Sequence, residues 1–476
     1  MPKNLLFVFA DQWRRAAMGF AGQDPVITPN MDEFARSSVY CDNAISSFPL
    51  CSPHRAALLT GRSLQSTGVF TNCKTGLSMR LSEKEPSIAA TLKEAGYQTG
   101  YIGKWHLDEP EVNHCAAPAS QAKNWDAYTP PGPRRMGFEY WHSYGACDEH
   151  CTPHYWENSE TPITVQQWSP IHETDVAIEY LKNIDKNKPF CLFVSWNPPH
   201  SPYDMVPQGY QDLYDAATLP LRENVCLENI HHHTFEPVGY TEEELRLVTQ
   251  QYFAAVSGLD DQFGRLCAAL KNCGLAEDTI VVLSADHGDM LGSHALMAKH
   301  VWYEESIGIP FVIGGAGLPA GRSGTVFGSE DIAPTLLELL QVPIPAAMQG
   351  KSVAADLCTC KTDEKSVAFL AACPGRDVFL QEFEKAHKNP RDYGWRGVRT
   401  RRYTYVVDAG YTPVASVHRL LYDNLKDPYQ MQPMILGSAC ENEIACALEC
   451  MLHTFLCDKN DGFLQHIERN TEHEHS

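Results

Sequence analysis

Asp278–Ala285 reads DTIVVLSA and runs directly into Asp286 and His287, and this stretch decides the fold. A continuous run of apolar and β-branched residues without alternation is typical of a strand that is buried on both faces. Upstream, Thr241 and Glu244 have the spacing of a capping box, and the apolar residues after them recur at helical intervals. A long helix that leads into a fully buried strand indicates a sheet covered by helices.

The alternation of strand and helix extends along most of the chain. Pro86 and Ser87 open a predicted helix that ends at Gly96. Further buried strands are predicted at Asn4–Ala10, Gln98–Trp105, Pro189–Trp196 and Ile307–Gly314. We therefore predict an α/β fold with one large, mostly parallel sheet sandwiched by helices.

Polar side chains lie at the ends of four predicted strands. In chain order they are Asp11 and Gln12, Lys104 and His106, His200, and Asp286 and His287. Ligands bind at the carboxyl ends of the strands in parallel sheets. The four strand ends therefore predict one shared site.

The pattern of elements changes after the first three quarters of the chain. Short strands are predicted at Ser366–Ala372 and Tyr403–Asp408, and a last helix is predicted at Glu441–Phe455. We therefore divide the chain into a catalytic domain of residues 1–361 and a smaller α+β domain of residues 362–476.

Two segments lack clear periodicity. Pro110–Gln167 is rich in Pro, Trp, Tyr and His, and we predict that it forms long loops over the mouth of the site. The terminal EHEHS, residues 472–476, is predicted to be a disordered tail.

The composition narrows the classes of partner. Of 476 residues, 43% are hydrophobic and 20% are charged, as in an ordinary globular protein, and the formal net charge is −21. This charge argues against nucleic acid and anionic membrane surfaces as partners, and it favours a small anionic substrate that is drawn into a local positive pocket. No apolar run approaches the roughly 20 residues of a membrane span. The sequence does not indicate an oligomeric state.

The start of the chain and its cysteines predict the compartment. The sequence MPKNLLFVFADQWRR has only a short apolar run before Asp11 and no small-residue cleavage site. If Met1 is the native start, we expect a cytoplasmic protein. Its seventeen cysteines are then expected to be reduced and mostly buried.

The most specific motif is Cys51–Arg62, which reads CSPHRAALLTGR. One interpretation makes Cys51 a buried structural thiol before a helix that Pro53 starts. The Cys-x-Pro-x-Arg core and its Thr-Gly-Arg extension, however, closely resemble the signature of type I, formylglycine-dependent sulfatases of the alkaline-phosphatase-like superfamily. The resemblance implies a sulfuric ester hydrolase in which a maturation enzyme oxidises Cys51 to formylglycine. A helix N-terminus at this position also suits an anionic substrate.

The resemblance covers nearly the whole chain. It includes elements at Asp11-Gln12, Gly103–Leu107, Pro199–Pro202, Asp286–Gly288 with Lys299, and Leu421–Asp423 with Asp427-Pro428. The last element departs from the family pattern, because Met431–Pro433 replaces an Asn-rich ending. Asp11–Arg14 and Gly68–Phe70 are most similar to bacterial carbohydrate sulfatases.

The family's metal ligands correspond to Asp11, Gln12, Asp286 and His287, and modified Cys51 completes the set. The resemblance implies one divalent metal ion, and a mostly oxygen-based ligand set favours calcium. Because imidazole is a poor ligand for calcium, Mn2+ and Mg2+ stay open as alternatives.

The resemblance also assigns catalytic roles. Lys104 and Lys299 supply positive charge to the sulfate oxygens, and Arg55 stabilises the modified residue and the metal ligands. His200 protonates the leaving alcohol, and His106 is the base that regenerates the aldehyde.

Five further residues are candidate substrate contacts. Trp13 follows the first metal-ligand pair and is a candidate for stacking on a sugar. The other candidates are Arg14, Asp108, Arg134 and Arg135.

A second metal site stays open as an alternative. Cys147 and Cys151 interleave with His150 and His154, which suggests zinc, although a second ligand pair at a standard spacing is lacking.

We expect a cytoplasmic, exo-acting sulfatase that acts on O-sulfated monosaccharides or short oligosaccharides. Two alternatives are kept. The first is a phosphonate or phosphate mono- or diester hydrolase of the same superfamily. The second is a non-catalytic sugar-binding protein on the same fold, although every matched catalytic position carries a competent residue.

Overall fold

Two sheets organise the molecule, for which the computed structural model describes residues 3–232 and 238–468. The tail predicted at residues 472–476 lies outside the described residues. The large sheet has eight strands: β1 (Asn4–Asp11), β2 (Val39–Cys41), β3 (Gln98–Lys104), β4 (Tyr140–Tyr144), β5 (Phe190–Pro199), β6 (Thr279–Ala285), β7 (Phe311–Gly314) and β8 (Gly321–Ser323). Their order across the sheet is β8-β2-β7-β6-β1-β5-β3-β4.

The large sheet is mostly parallel, as predicted. Only β7 runs against its neighbours, β6 and β2, and all other neighbouring pairs are parallel. The four strands whose ends carry the predicted site residues are adjacent, in the order β6-β1-β5-β3. Their carboxyl ends therefore meet at one edge of the sheet.

The predicted strand at Ile307–Gly314 is wrong in its first half. Glu304–Ile307 forms a short helix, and β7 begins only at Phe311, directly after Pro310. An apolar run of this length does not by itself distinguish a buried helical turn from a strand.

Two groups of helices cover the large sheet. The longer helices of the chain are α1 (Pro29–Arg36), α2 (Cys51–Thr60), α3 (Ile88–Glu94), α4 (Ser169–Asn183), α5 (Glu242–Asn272), α6 (Ser329–Leu339), α7 (Asp377–Lys385) and α8 (Glu443–Asp458). Helices α1 and α4 pack on α5, and α2 and α3 pack on α6. Strand β3 contacts one helix from each group, α3 and α4.

Short helical segments connect these elements. They lie at Leu64–Thr67, Gln208–Gln211, Glu304–Ile307, Ala354–Thr359 and Gln465–Glu468, with 3-10 turns at Gly19–Ala21, Glu111–Asn113, Pro133–Arg135, Ala276–Asp278, Pro390–Asp392, Ala439–Glu441 and Gly462–Leu464. Within the described ranges, every helix is too short or too polar to cross a membrane.

The predicted capping box starts α5. Thr241 Oγ1 accepts the backbone N–H of Glu244 at 3.2 Å, and Glu244 Oε2 accepts the backbone N–H of Thr241 at 2.8 Å. Leu245, Val248 and Tyr252 lie on the buried face of the helix. The long helix and the buried strand that decide the fold are thus both observed.

The segment 110–167 is not loop throughout. Tyr140–Tyr144 is β4 at the edge of the large sheet, and His154–Tyr155 pairs with Ile163–Thr164 in a two-stranded ribbon. The strand β4 was not predicted, because its sequence YWHSY is neither continuously apolar nor an alternation of apolar and polar residues. Four of its five residues are nevertheless buried. The remainder of the segment contributes several residues to the cavity described below.

The smaller sheet is antiparallel throughout. It consists of β9 (Val367–Ala372), β10 (Trp395–Thr400), β11 (Tyr403–Asp408), β12 (His418–Asp423) and β13 (Met434–Leu436), in that order, with α8 packed against it. An apolar cluster packs Trp395 and Val406 of this sheet against Ile45 and Phe48, which lie between β2 and α2. The predicted domain boundary at residue 362 falls between the helix Ala354–Thr359 and β9, and this division stays a prediction.

The cysteines are more exposed than expected. All seventeen are free thiols, but only Cys41, Cys51, Cys73, Cys191 and Cys373 are buried, and seven are exposed. The expectation of mostly buried thiols is therefore wrong, because composition does not specify which face of an element a side chain occupies.

Gly103→Ala is expected to destabilise the fold at the end of β3. Gly103 has a φ of 96°, and a Cβ atom there would lie 2.1 Å from the carbonyl oxygen of Ser195 on β5. We expect the free energy of unfolding to fall by about 3 kcal/mol or more, measured by urea unfolding. Gly209→Ala is the matched control, because its Cβ would meet no atom within 4 Å. Equal stability of the two variants would contradict the strain at Gly103.

Candidate active site

The edge where β6, β1, β5 and β3 end gathers charged side chains. Lys104 Nζ, at the end of β3, lies 2.7 Å from Asp11 Oδ2, at the end of β1. Asp286, directly after β6, accepts the backbone N–H of Gln12 at 3.0 Å through Oδ1. The structure therefore brings residues from strands far apart in the chain into one site.

Cys51 is the first residue of α2 and lies against this group of side chains. Its Sγ atom is 3.5 Å from Asp11 Oδ1 and 3.4 Å from His287 Nε2. The helix dipole at this N-terminus favours a bound anion, although the backbone N–H of Ser52 already donates to Asn72 Oδ1 at 3.1 Å. Cys51 is 1% exposed, yet it lines the cavity that opens over the site.

Buried hydroxyls fix the position of α2. Ser52 Oγ donates to the carbonyl of His106 at 2.6 Å and accepts the backbone N–H of Cys73 at 3.0 Å. His54 Nδ1 lies 2.9 Å from Ser329 Oγ, at the start of α6. The helix that carries Cys51 is therefore tied to the loop after β3 and to a neighbouring helix.

Arg55, one turn into α2, joins all four strands. Its guanidinium donates to Asp286 Oδ2 at 3.0 Å, to Asp11 Oδ2 at 3.2 Å, to the carbonyl of Lys104 at 2.7 Å and to Ser195 Oγ at 2.8 Å. Burial lowers the pKa of Arg55, but the negative groups around it, Asp286 foremost among them and Asp11 with it, together outweigh burial and raise the pKa above its ordinary value. Arg55 is thus a permanent positive charge behind the two carboxylates.

The carboxylates of Asp11 and Asp286 titrate differently. Burial and the nearby charge of Asp11 raise the pKa of Asp286 to about 7. Burial also tends to raise the pKa of Asp11, but the charge of Lys104, reinforced by that of Arg55 and other neighbours, outweighs it and holds that pKa well below its ordinary value. Two buried carboxylates this close, one of them hard to ionise, favour a further cation between them.

The donor set at this position fits a divalent metal ion. Asp11, Cys51, Asp286 and His287 each offer one ligand atom, and these atoms all lie within 4.8 Å of one another. His287 Nε2 is 3.5 Å from an oxygen of each carboxylate. Two carboxylates and an imidazole are suitable ligands for a divalent cation.

Gln12 is held by a network that the sequence did not reveal. Its Nε2 donates to Asp289 Oδ2 at 2.7 Å and to the hydroxyl of Tyr203 at 3.1 Å, and its Oε1 accepts from Lys299 Nζ. The backbone of Gln12 has a φ of 64°. In the sequence, Asp289 lies shortly after Asp286. This second carboxylate is the feature from which the network around Gln12 could have been anticipated.

Lys104 remains an ammonium group despite its burial. Burial lowers its pKa, but the charge of Asp11, together with the smaller effects of Cys51 and Asp148, outweighs burial and raises the pKa above its ordinary value. Its Nζ also donates to Asn197 Oδ1 at 2.9 Å, and Lys104 lines the cavity. Asn197, on β5, was not among the predicted residues.

His106 presents an unprotonated nitrogen in the site. Its Nε2 lies 3.1 Å from the carbonyl oxygen of Cys73, which can only accept, so Nε2 carries the proton. The Nδ1 atom is then a buried acceptor without a hydrogen-bond partner among the described residues. Burial and the charge of Lys104 lower the pKa of His106 to about 3, which keeps the ring neutral.

His200 follows β5 and lines the cavity. One of its ring nitrogens is held by a hydrogen bond to the backbone. Its Nδ1 donates to the carbonyl of Ser201 at 2.7 Å, and Asp148 Oδ1 lies 3.5 Å from the same nitrogen. Burial, followed by the charges of Lys299 and Lys104, lowers the pKa of His200 well below its ordinary value. A bound anion would offset those two charges and favour protonation of His200.

Two adjoining cavities open over these residues. One has a volume of about 720 Å³ and is lined by Cys51, Lys104 and His106, and the other has about 540 Å³ and is lined by Gln12 and Lys299. Residues shared by both cavities are Asn72, Trp125, Asp148 and His200. The site therefore lies in a continuous depression of the size that binds small ligands.

The cavity walls carry functional candidates that the sequence analysis missed. Lys123 lines the first cavity, and Lys74 and Arg376 line the second. Trp125 stands between the two cavities and is 44% exposed, with its ring 6.3 Å from that of His106. All four lie outside helices and strands, where the sequence offers no periodicity to identify the side chains that face a site.

The expectation that Trp13 stacks on a sugar is wrong. Trp13 is fully buried, and its indole N–H donates to the carbonyl of Ala17 at 2.7 Å. Trp105, Trp141 and Trp156 are also buried. An aromatic face is presented to the cavities by Trp125 instead.

The other four candidate substrate contacts make structural interactions outside both cavities. Arg14 pairs with Asp24 at 2.7 Å, and Arg134 Nε donates to Asp108 at 3.1 Å. Arg135 is buried, and its Nε donates to the carbonyl of Thr129 at 3.2 Å. These residues are not assigned to the site, because buried ion pairs and loop contacts already account for their charges.

The candidate zinc residues do not form one group. His150 Nε2 donates to the carbonyl of His200 at 2.9 Å, and Cys151 is exposed. Cys147 and His154 lie together beside Asp126, which the sequence did not connect with them.

Comparisons with known proteins agree with this geometry. The family model described as Sulfatase matches residues 3–342, and the model for the C-terminal region of N-sulphoglucosamine sulphohydrolase matches residues 292–456. An endo-4-O-sulfatase from Bacteroides thetaiotaomicron is 35% identical over 468 residues, covering 91% of this chain and 88% of the relative. An ulvan-active sulfatase from Formosa agariphila is 32% identical, covering 97% of this chain and 82% of the relative.

A solved structure from work on the metabolism of multiple glycosaminoglycans by Bacteroides thetaiotaomicron has the same fold. It superposes with a TM-score of 0.84 at 33% identity, over 97% of each chain. The fold that the sequence resemblance implied is therefore confirmed. The family match covers far more than half of the chain, and it includes every strand end that contributes to the site. This protein thus belongs to the sulfatase family and is an enzyme that hydrolyses sulfate esters.

Proposed function

We propose that this sulfatase acts on O-sulfated carbohydrates, with a formylglycine made from Cys51 and one divalent cation held by Asp11, Gln12, Asp286 and His287. The observation that carries the proposal is the position of Cys51. It lies at a helix N-terminus, within 3.5 Å of both Asp11 and His287, and at the floor of the cavity.

Calcium is the cation we favour, since the residues at the site offer mainly carboxylate and amide oxygens. Such a cation supplies Lewis-acid polarisation of a sulfate oxygen. Asp11 and Asp286 contribute the negative charge that holds it, and Arg55 fixes the orientation of both carboxylates. The formylglycine hydrate supplies the oxygen nucleophile, and a maturation enzyme that reads the Cys51–Arg62 motif is the partner this requires.

The residues around the cavity divide the remaining work. Lys104 and Lys299 attract the sulfate group, which carries a single negative charge. His200 is the proton donor to the leaving alcohol, since it stands at the junction of the two cavities, and substrate charge favours its protonated form. His106, with Nδ1 free and unprotonated, is the proton acceptor near Cys51.

A sugar is the substrate class that fits the cavity. The two relatives described above are an endo-4-O-sulfatase and an ulvan-active sulfatase, and each name describes the activity of that relative alone. Trp125 offers an exposed aromatic face, on which the apolar face of a sugar ring can pack. The cavity volumes accommodate a monosaccharide or a short oligosaccharide, and we propose cytoplasmic action on such molecules.

Conversion of Cys51 is tested by mass spectrometry. Co-expression with a formylglycine-generating enzyme is expected to yield a Cys51 peptide that is lighter by about 18 Da, the mass difference between thiol and aldehyde forms. Cys51→Ala should show neither the mass change nor activity. A fully active preparation that contains only unmodified Cys51 would overturn this mechanism.

Asp286→Asn is expected to remove calcium and activity together. The variant keeps the shape of the side chain but loses one of two carboxylate charges, and activity should fall about a thousandfold or more. Calcium content is measured by elemental analysis, and thermal unfolding checks the fold. Wild-type calcium affinity in the variant would show that Asp286 is not a ligand.

His200→Ala separates acid catalysis from binding. Loss of the proton donor should slow hydrolysis of a sulfated sugar by roughly a hundredfold or more, because a sugar hydroxyl is a poor leaving group. An activated aryl sulfate should be slowed much less. The measurement is kcat/KM for both substrates, with the exposed His114→Ala as control. Equal losses on both substrates would remove His200 from this role, and a wild type that prefers phosphate or phosphonate esters would overturn the sugar sulfate assignment.

A further inference from the structure

A second group of potential metal ligands lies on the wall of the larger cavity, apart from the Cys51 site. Asp126, Cys147 and His154 each offer one ligand atom, and these atoms lie within 4.8 Å of one another. All three residues line the cavity. None of them has a role in the hydrolysis proposed above.

The structure holds Asp126 and His154 through their side chains and Cys147 through its backbone. Asp126 Oδ1 accepts the backbone N–H groups of Ala127, Gly145 and Ala146 at 2.9, 2.7 and 3.1 Å, which leaves Oδ2 directed to His154. His154 belongs to the two-stranded ribbon, where its backbone pairs with Thr164, and its ring packs edge-on against Trp156. The carbonyl of Cys147 accepts Asn197 Nδ2 at 2.7 Å.

One ligand atom from each residue lies within 4.8 Å of the other two, so the three atoms form a triangle. The ring of His154 contacts both partners: its Nε2 donates to Asp126 Oδ2 at 2.6 Å, and its Nδ1 is 3.9 Å from Cys147 Sγ. In a relay that only activates a thiol, the carboxylate and the sulfur would be separated by the full width of the ring. Here a single ring nitrogen, the sulfur and a carboxylate oxygen are close enough to share one cation.

We propose that Asp126, Cys147 and His154 form a second metal site that binds zinc. A thiolate, an imidazole and a carboxylate are the ligand types that zinc prefers, whereas the Cys51 site offers mainly oxygen ligands. Three protein ligands leave the fourth tetrahedral position to a water molecule from the cavity. Binding joins the loop that carries Asp126 to the ribbon that carries His154.

This site replaces the grouping that sequence spacing suggested. His150 is turned towards the backbone of His200, and Cys151 is not part of the triangle. Asp126 takes their place from about twenty residues earlier in the chain, a distance at which spacing rules give no signal. The zinc site does not depend on the proposed sulfatase mechanism, because it shares no ligand with the Cys51 site.

The test measures zinc binding by the full-length protein in an Asp286→Asn background, which removes a ligand of the first site. Elemental analysis after dialysis against zinc should find one more equivalent in this protein than in the same protein with Cys147→Ser. The affinity should fall at least roughly tenfold when a ligand is lost. Cys151→Ser is the matched control and should keep the zinc, and His154→Gln is a second variant that should lose it.

Cobalt substitution identifies the ligand directly. Cobalt bound at this site should give a thiolate-to-metal charge-transfer band that disappears with Cys147→Ser and persists with Cys151→Ser. Zinc should also raise the Tm of the parent but not of the Cys147→Ser protein. Zinc bound by the exposed cysteines elsewhere would be equal in all variants and would cancel in the comparison. Identical zinc content and cobalt spectra with and without Cys147 would overturn the proposal and leave a hydrogen-bonded triad.

Discussion

Arg55 places one buried guanidinium against the ends of four strands. It donates to Asp11 after β1, to the Lys104 carbonyl on β3, to Ser195 on β5 and to Asp286 after β6. Transfer of a charge from water to this interior costs several kcal/mol unless every partner is in place. Arg55 therefore couples the register of the sheet to the position of α2 and to the geometry at Cys51, its first residue. A change in one of these alters the other two.

The sequence predicted the centre of the site because its residues are tied to strong local signals. Apolar runs marked β1, β5 and β6, and the more mixed segment QTGYIGK was also predicted as a strand, β3. The polar residues at these four strand ends could only meet at one edge of a parallel sheet. The Cys51–Arg62 motif added the helix that begins at Cys51. Each of these signals is local in the chain. Because parallel strands end at the same edge of the sheet, residues that are far apart in sequence come together there.

The walls of the site could not be predicted in the same way. Trp13 is adjacent to Gln12 in sequence, but its side chain enters the core, whereas Trp125 reaches the cavity from a loop with no periodic pattern. The edge strand β4 was missed because YWHSY is buried without being apolar throughout. Asp126 joins Cys147 and His154 only through loop packing. Each of these features depends on the path of an irregular segment, which neither propensity nor spacing determines.

Because Trp125 is exposed, its intrinsic fluorescence can report whether a ligand occupies the cavities. The chain has nine tryptophans, and in the described residues Trp125 alone has more than a third of its surface open to solvent. A collisional quencher such as acrylamide will therefore act mainly on this indole, at the junction of the two cavities. A ligand that fills either cavity shields it, so occupancy can be followed by steady-state fluorescence without a label and without turnover.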